Sequence, residues 1–141
     1  WGNVTNTSFM LAYCYALRYI NNIEYLGSIT TQSDFTDTLR DCEALSGTIT
    51  IGSLLTKIGI YGSSGKNIQI TGLRLTNASS TFTGSSPQIN VSYTNLDATA
   101  LNQLFTDLPT LTGKTINITG SVGASACDRS IATGKGWTVI G

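Results

Sequence analysis

Five short stretches of the chain place apolar residues at every second position: Ile49/Ile51, Ile68/Ile70, Ile89/Val91, Ile116/Ile118 and Trp137/Val139. An alternation of two is what a strand with one buried face requires, so each stretch predicts a β-strand. Counted from their first residues, the strands recur every 19 to 27 positions. That rhythm, one strand and one return segment per unit, predicts strands stacked side by side in one mainly parallel sheet over a shared core. Ile49, Ile68, Ile89, Ile116 and Trp137 are then expected on adjacent strands.

The return segments differ along the chain. Asp97 is placed to cap a helix, with Leu96 and Leu101 as its hydrophobic staple and Pro109 to end it. Asp34 and Asp37 give a weaker capping signal ahead of Phe35 and Leu39. Between residues 58 and 95 the returns are rich in Gly, Ser and Thr and are expected to be irregular. A last short helix is expected from Ala124 to Thr133, with Cys127 and Ile131 on one face and its end near Gly134 and Gly136. The expected outline is helical near the ends and β-rich in the middle.

A repeat underlies this rhythm. Leu11-Ala-Tyr-Cys14-Tyr-Ala16-Leu17 reappears 28 residues later as Leu39-Arg-Asp-Cys42-Glu-Ala44-Leu45, with Leu, Cys, Ala and Leu at the same offsets. The spacing of Phe35, Leu39, Cys42 and Leu45 returns in Leu101, Phe105, Leu108 and Leu111. Cys14 and Cys42 should therefore occupy equivalent, reduced and buried positions of neighbouring units. The fold class predicted is an α/β repeat, a short solenoid, with residues 1–141 as a single domain. Trp1 in place of an initiating Met is the mark of processing or of a piece of a longer polypeptide.

The unit Cys42-x-x-Leu45-x-x-x-Ile49-x-Ile51, with its relative Cys14-x-x-Leu17-x-x-Ile20, resembles the BspA-like class of leucine-rich repeats common in bacterial surface proteins. The closing stretch from Leu96 to Gly141 is similar to the final repeats of bacteriophage structural proteins and of surface proteins from environmental bacteria. The resemblance is fullest there, partial over residues 1–50, and rests on strand rhythm alone in between. It implies a leucine-rich-repeat-like solenoid with a scaffold or adhesive role and brings no catalytic residues with it. The expected setting is a virion surface, as a capsid-decoration, head-fibre or tail-fibre domain, or else the surface of a bacterium as an adhesin module. Expected partners are other subunits of the same assembly and a host-surface glycan or protein.

Composition narrows the chemistry. Eight basic and eight acidic residues cancel, and charged residues are only 11% of the chain. A surface so poor in cations has no stripe with which to neutralise several phosphates, which argues against nucleic acid. No apolar run approaches the roughly 18 residues that a membrane span needs. Histidine is absent, which removes Ser-His-Asp and Cys-His nucleophilic systems and histidine-held metals. The three cysteines, Cys14, Cys42 and Cys127, show no CxxC spacing and are expected to behave as small buried hydrophobes. No cofactor is implied, and an enzyme is not expected.

Three clusters are candidate sites. Asp34, Asp37, Asp41 and Glu43 could ligate calcium or supply a glycosidase acid/base pair, against the plainer reading of a solvated, capping face interleaved with Arg40. Tyr61-Gly-Ser-Ser-Gly-Lys66 lacks the spacing of a phosphate-binding loop and reads as a turn between strands. Tyr13, Tyr15, Tyr19 and Tyr25 crowd one repeat, half of them expected to face the core and the rest to form a stacking platform. The candidate binding surface joins Tyr13 and Tyr15 to a flat neutral row, Thr50, Gln69, Asn90 and Asn117, on the solvent face of the sheet. Five Asn-x-Ser/Thr sequons begin at Asn3, Asn6, Asn77, Asn90 and Asn117, as a composition rich in these residues would produce by chance.

Overall fold

The computed structural model describes residues 6–20, 33–52 and 54–141. It is an α/β structure with a mainly parallel sheet and two short helices. Five strands, β1 (Ser33–Phe35), β3 (Leu55–Gly59), β5 (Ile89–Asn90), β6 (Lys114–Asn117) and β7 (Trp137–Ile140), form one sheet in the order β1-β3-β5-β6-β7. Every pairing in it is parallel, and spatial order follows chain order. Asn6 bridges to Asp34 in parallel and carries the pattern one segment beyond β1. Behind this sheet lies a second layer: β2 (Gly47–Ile51) paired in parallel with β4 (Ile70–Leu75), then α1 (Ala98–Asp107) against β4, and α2 (Ser130–Thr133) against α1 and β7.

The core is the seam between the layers. Phe35, Ile58, Ile89 and Ile116 stand in register across the sheet and are fully buried, with Val139 of β7 next in the row. Ile60, Val91 and Ile118 form a parallel buried row two residues on. Leu73 and Leu75 of β4 and Leu101, Leu104 and Phe105 of α1 close the seam from behind. Burying apolar surface at about 25 cal/mol per Å² is what holds the layers together.

The alternating patterns at Ile49/Ile51, Ile89/Val91, Ile116/Ile118 and Trp137/Val139 mark strands as expected. The expectation of a single sheet for all five is corrected. Ile49 lies on β2 in the second layer, and Ile68 sits ahead of β4, bridged in parallel to Thr94. Their place in the main sheet is held by β3, where Leu55 and Ile58 break the period of two. The cause is a bulge: Ser33 pairs with Leu55 and Asp34 with Lys57, so Thr56 is the extra residue and shifts the pattern by one.

The helices also fall differently. Helix α1 begins and ends where its signals place it, with Asp97 extended at the N-cap and its carboxylate accepting from the Ala100 N–H at 2.8 Å. Replacing Asp97 by alanine should cost about 1 kcal/mol, measurable as a lowered urea midpoint, while asparagine should keep most of that. Helix α2 covers only Ser130–Thr133, because the Asp128 carboxylate accepts from the Ser130 N–H and hydroxyl and starts the helix there. Asp34 lies within β1, and residues 36–41 that follow it run through turns and not a helix. The second layer is thus β in its first half and helical in its second, rather than helical at both ends.

Candidate functional site

Four turns leave the same edge of the main sheet, each built by a short polar side chain. Asn6 accepts from the Ser8 N–H, Asp34 from the Thr36 N–H and hydroxyl, Asn90 from the Ser92 N–H and hydroxyl, and Asn117 from the Thr119 N–H and hydroxyl. Each is an Asx turn, in which a side-chain oxygen replaces a backbone acceptor two residues ahead. Three residues after each, the backbone enters the left-handed region: Phe9 (φ 59°), Asp37 (φ 53°), Tyr93 (φ 51°) and Gly120 (φ 70°). Successive turns are tied together, with Thr7 N donating to Asp34 O, Ile60 N to Asn90 O, and Val91 N to Asn117 O. The Asn-x-Ser/Thr sequences at Asn6, Asn90 and Asn117 thus serve as turn elements, and so does the one at Asn77, whose side-chain oxygen accepts from the Ser79 N–H at 3.0 Å. Their signal was in the numbering: Asn6, Asp34, Asn90 and Asn117 are separated by 28, 56 and 27 residues.

This geometry corrects the expected neutral row. Asn90 and Asn117 are register partners on β5 and β6, but each spends its side-chain oxygen inside its own turn. Thr50 lies on β2, beside Arg74 of β4, in the other layer. Gln69 is exposed, donating to Asn67 O and accepting from the Asn95 amide. The four do not converge on one face.

The exposed aromatics share one segment of chain, and two of them, Tyr13 and Tyr15, pack together. Phe9, Tyr13 and Tyr15 are 54%, 44% and 55% exposed, and Tyr19 is exposed as well. The expected inward half is corrected for these three tyrosines; Tyr25 lies outside the described residues, as do Trp1 and the sequon at Asn3. Tyr13 is held by its N–H to Arg40 O at 2.8 Å, and its ring faces the Tyr15 ring at 6.3 Å between centroids, tilted by 56°. The Arg40 guanidinium lies between two rings, 5.3 Å from the Tyr13 centroid and 5.6 Å from that of Tyr61. Such stacks are attractive because the ring face carries partial negative charge.

The acidic cluster is absorbed around this stack. Asp37 lies 3.9 Å and Asp41 3.4 Å from Arg40 nitrogens, Asp41 also accepts from the Ser63 hydroxyl at 2.8 Å, and Glu43 pairs with Lys66 at 3.2 Å. Arg40 Nε has no acceptor closer than that long contact to Asp41. Burial lowers the Arg40 pKa, but Tyr61, Tyr13, Asp37 and Asp41 outweigh it and the net shift is upward. Burial also raises the Tyr61 hydroxyl, to about 12, helped by its hydrogen bond to Asp37. The sequence marks Arg40 only as a charge among acids. Its place beside Tyr13 follows from the 28-residue register, which sets Tyr13 level with Asp41. The Tyr61–Lys66 stretch is a tight turn, as expected, closed by Lys66 N donating to Ser63 O, with Gly65 at φ 78°.

Of the cysteines, Cys42 alone is fully buried, its thiol donating to Leu11 O at 3.1 Å. Cys14 is exposed and Cys127 half-buried, which corrects the expectation for both; all three are free thiols. Burial pushes the Cys42 pKa up to about 11, against a small downward pull from the Cys14 backbone N–H. Cys42 and Tyr61 both hold their protons more tightly folded than unfolded, so the native state binds more protons once the unfolded groups begin to ionise. Stability should then be flat near neutrality and fall as pH rises from about 9 through 12. Urea midpoints at pH 7 and about pH 11 check this, and Cys42→Ser, which keeps a donor to Leu11, should remove the thiol's share of the decline.

A concavity of about 350 Å³ lies between the β2–β4 layer and α1, lined by Thr48, Thr71, Gly72, Arg74, Thr99 and Gln103 among others. Its two charged groups are already committed: Arg74 donates from Nε and Nη2 to Asp107 at 2.6 and 3.1 Å, and Asp97 caps α1 through the Ala100 N–H. Among the described residues no group of three His, Cys, Asp or Glu side chains is placed to hold a metal, and no helix is long and apolar enough to cross a membrane. Comparison of the chain with protein-family models, curated proteins and solved structures finds no match.

Proposed function

We propose that the chain is a short solenoid of leucine-rich-repeat type that serves as a non-catalytic structural and adhesive module of a phage virion, a capsid-decoration, head-fibre or tail-fibre domain. The observation that carries the solenoid is the main sheet itself. Its strands are parallel, in chain order, and the same Asx turn leaves it at Asn6, Asp34, Asn90 and Asn117. A stack of this kind is a scaffold whose turn-side row can be presented to a partner. Among the described residues the outer strand β7 has one neighbour, β6, and it carries exposed Thr138 and Ile140, where a neighbouring subunit can pair or pack. The virion setting extends the sequence resemblance drawn for the stretch from Leu96 to Gly141, which no matching protein accompanies.

The second reading, a ligand-binding module of a bacterial surface adhesin, is favoured by the exposed aromatic group at Phe9, Tyr13, Tyr15 and Tyr19. Quantitative mass spectrometry of purified particles and of cell envelopes separates the two. A fixed copy number per virion supports the first, and recovery from envelopes without particles supports the second. Recovery from neither, or hydrolysis of a polysaccharide that Asp37→Asn or Asp41→Asn abolishes, would overturn both.

A further inference from the structure

The exposed aromatic residues of the described structure are concentrated in one short segment, and that segment lies against a fixed ion cluster. Phe9, Tyr13 and Tyr15 are all about half exposed and lie within seven residues of chain. Tyr13 is backed by Arg40, which Tyr61, Asp37 and Asp41 hold from its other sides. Three of the residues in this cluster, Tyr13 (φ 63°), Asp37 and Asp41 (φ 53° each), occupy a backbone region that costs non-glycine residues about 1–2 kcal/mol. Strain of that kind persists where the surroundings over-determine it, and it sets the backbone from which Tyr13 projects before any ligand arrives.

The chemistry of the patch selects among occupants. Arg40 against Asp37, Asp41 and the nearby Lys66–Glu43 pair sums to a slightly negative surface, which disfavours polyanions. A protein partner fits less well, since Asp is depleted in the buried parts of protein interfaces and Asp37 and Asp41 both flank the Arg40 that backs Tyr13. A sugar ring matches both features. Its C–H face lies on an aromatic face, and its hydroxyls, each donor and acceptor at once, meet guanidinium donors and carboxylate acceptors held side by side.

We infer that Tyr13 and Tyr15, with Arg40 and Asp37 at their rim, form a binding site for an uncharged polysaccharide. Tyr13 and Tyr15 stack on successive sugar rings, Asp37 accepts from a hydroxyl, and Arg40 donates to its neighbour. The inference deepens the adhesive reading above and rests on it.

The test is affinity electrophoresis of the whole chain through gels containing dextran, mannan, xylan or laminarin, with alginate as the anionic counterpart. At least one neutral polymer should retard the protein, and alginate should not. Tyr13→Ala should weaken that retardation about tenfold and Tyr15→Ala by a similar factor, while Tyr13→Phe, which keeps the stacking face, should hold it within about twofold. Val122→Ala, an exposed apolar change outside the patch, should leave it unaltered, and thermal melts confirm that each variant is folded. Retardation by none of the neutral polymers, retardation by alginate that salt abolishes, or full binding by a folded Tyr13→Ala protein would overturn the proposal. A chain found at fixed copy number on virions yet not retarded would sink the glycan site alone. A retarded chain found on neither particles nor envelopes would sink the surface role alone.

Discussion

Gly62→Ala should lower the melting temperature by about 10 °C, corresponding to about 3 kcal/mol. A Cβ at this position would stand 2.2 Å from Lys66 O and 2.8 Å from Tyr93 O. Both are backbone oxygens of turns that are themselves tied down: Gly62 N donates to Ser92 O, Lys66 N to Ser63 O, and Ile68 N to Tyr93 O. Relief would require two neighbouring turns to separate, and the loss should spread along the stack. Gly65, three residues on, supplies the contrast. Its φ of 78° strains any L side chain, yet nothing lies within 4 Å of its Cβ position, so Gly65→Ala should cost only about 1–2 kcal/mol. If the two variants melt together, close packing between the turns is not what Gly62 provides.

Phe82→Ala should remove about 3–5 kcal/mol. Phe82 lies on the irregular connection from β4 to β5, with φ 46°, yet its side chain is fully buried. Its N–H donates to Leu55 O at the start of β3, and its ring meets Trp137 of β7 edge-on, 5.2 Å between centroids at 79°. Trp137 in turn donates from Nε1 to Pro109 O at 2.9 Å. Phe82 thus ties an early strand, through its backbone N–H, to the last one, through its ring, and truncation of the fully buried ring leaves a cavity. Phe82→Leu keeps most of the volume and should cost about 1.5 kcal/mol or less. A urea midpoint for Phe82→Ala near that of the wild type would mean the ring is not a member of the core.

How far each element is legible in the sequence depends on whether one local rule governs it. Helix α1 is readable because cap, staple and stop, Asp97, Leu96/Leu101 and Pro109, all point to one segment. Strands β5, β6 and β7 are readable because their alternation is unbroken. Strand β3 is not, because the bulge at Thr56 puts Leu55 and Ile58 out of phase. The layer change of Ile49 is hidden for another reason: a strand facing the core from behind has the same alternation as one facing it from the front. Cys14 and Cys42 share a sequence register but not an environment. Cys42 is covered by the Leu11 turn, whereas Cys14 belongs to the outermost segment among the described residues.

The binding surface is half legible. Tyr13 and Tyr15 stand out by residue type, and Arg40, Asp37 and Tyr61 join them only through stacking of turns from three segments. Thr50, Gln69, Asn90 and Asn117 are outward positions by strand alternation, a rule that ignores what a side chain does at a strand's end. For Asn90 and Asn117 the turn takes the polar group that a ligand would have used.

Chain order in the sheet has a mechanical consequence. Because β1, β3, β5, β6 and β7 succeed one another in space as they do in sequence, tension applied between the first and last strands pulls along the inter-strand hydrogen bonds and not across them. Ladders loaded in line give way singly, and each detached strand releases its own return segment as slack before the next is stressed. A protein so arranged lengthens in small steps under load, at low force, and each step can close again when the pull relaxes.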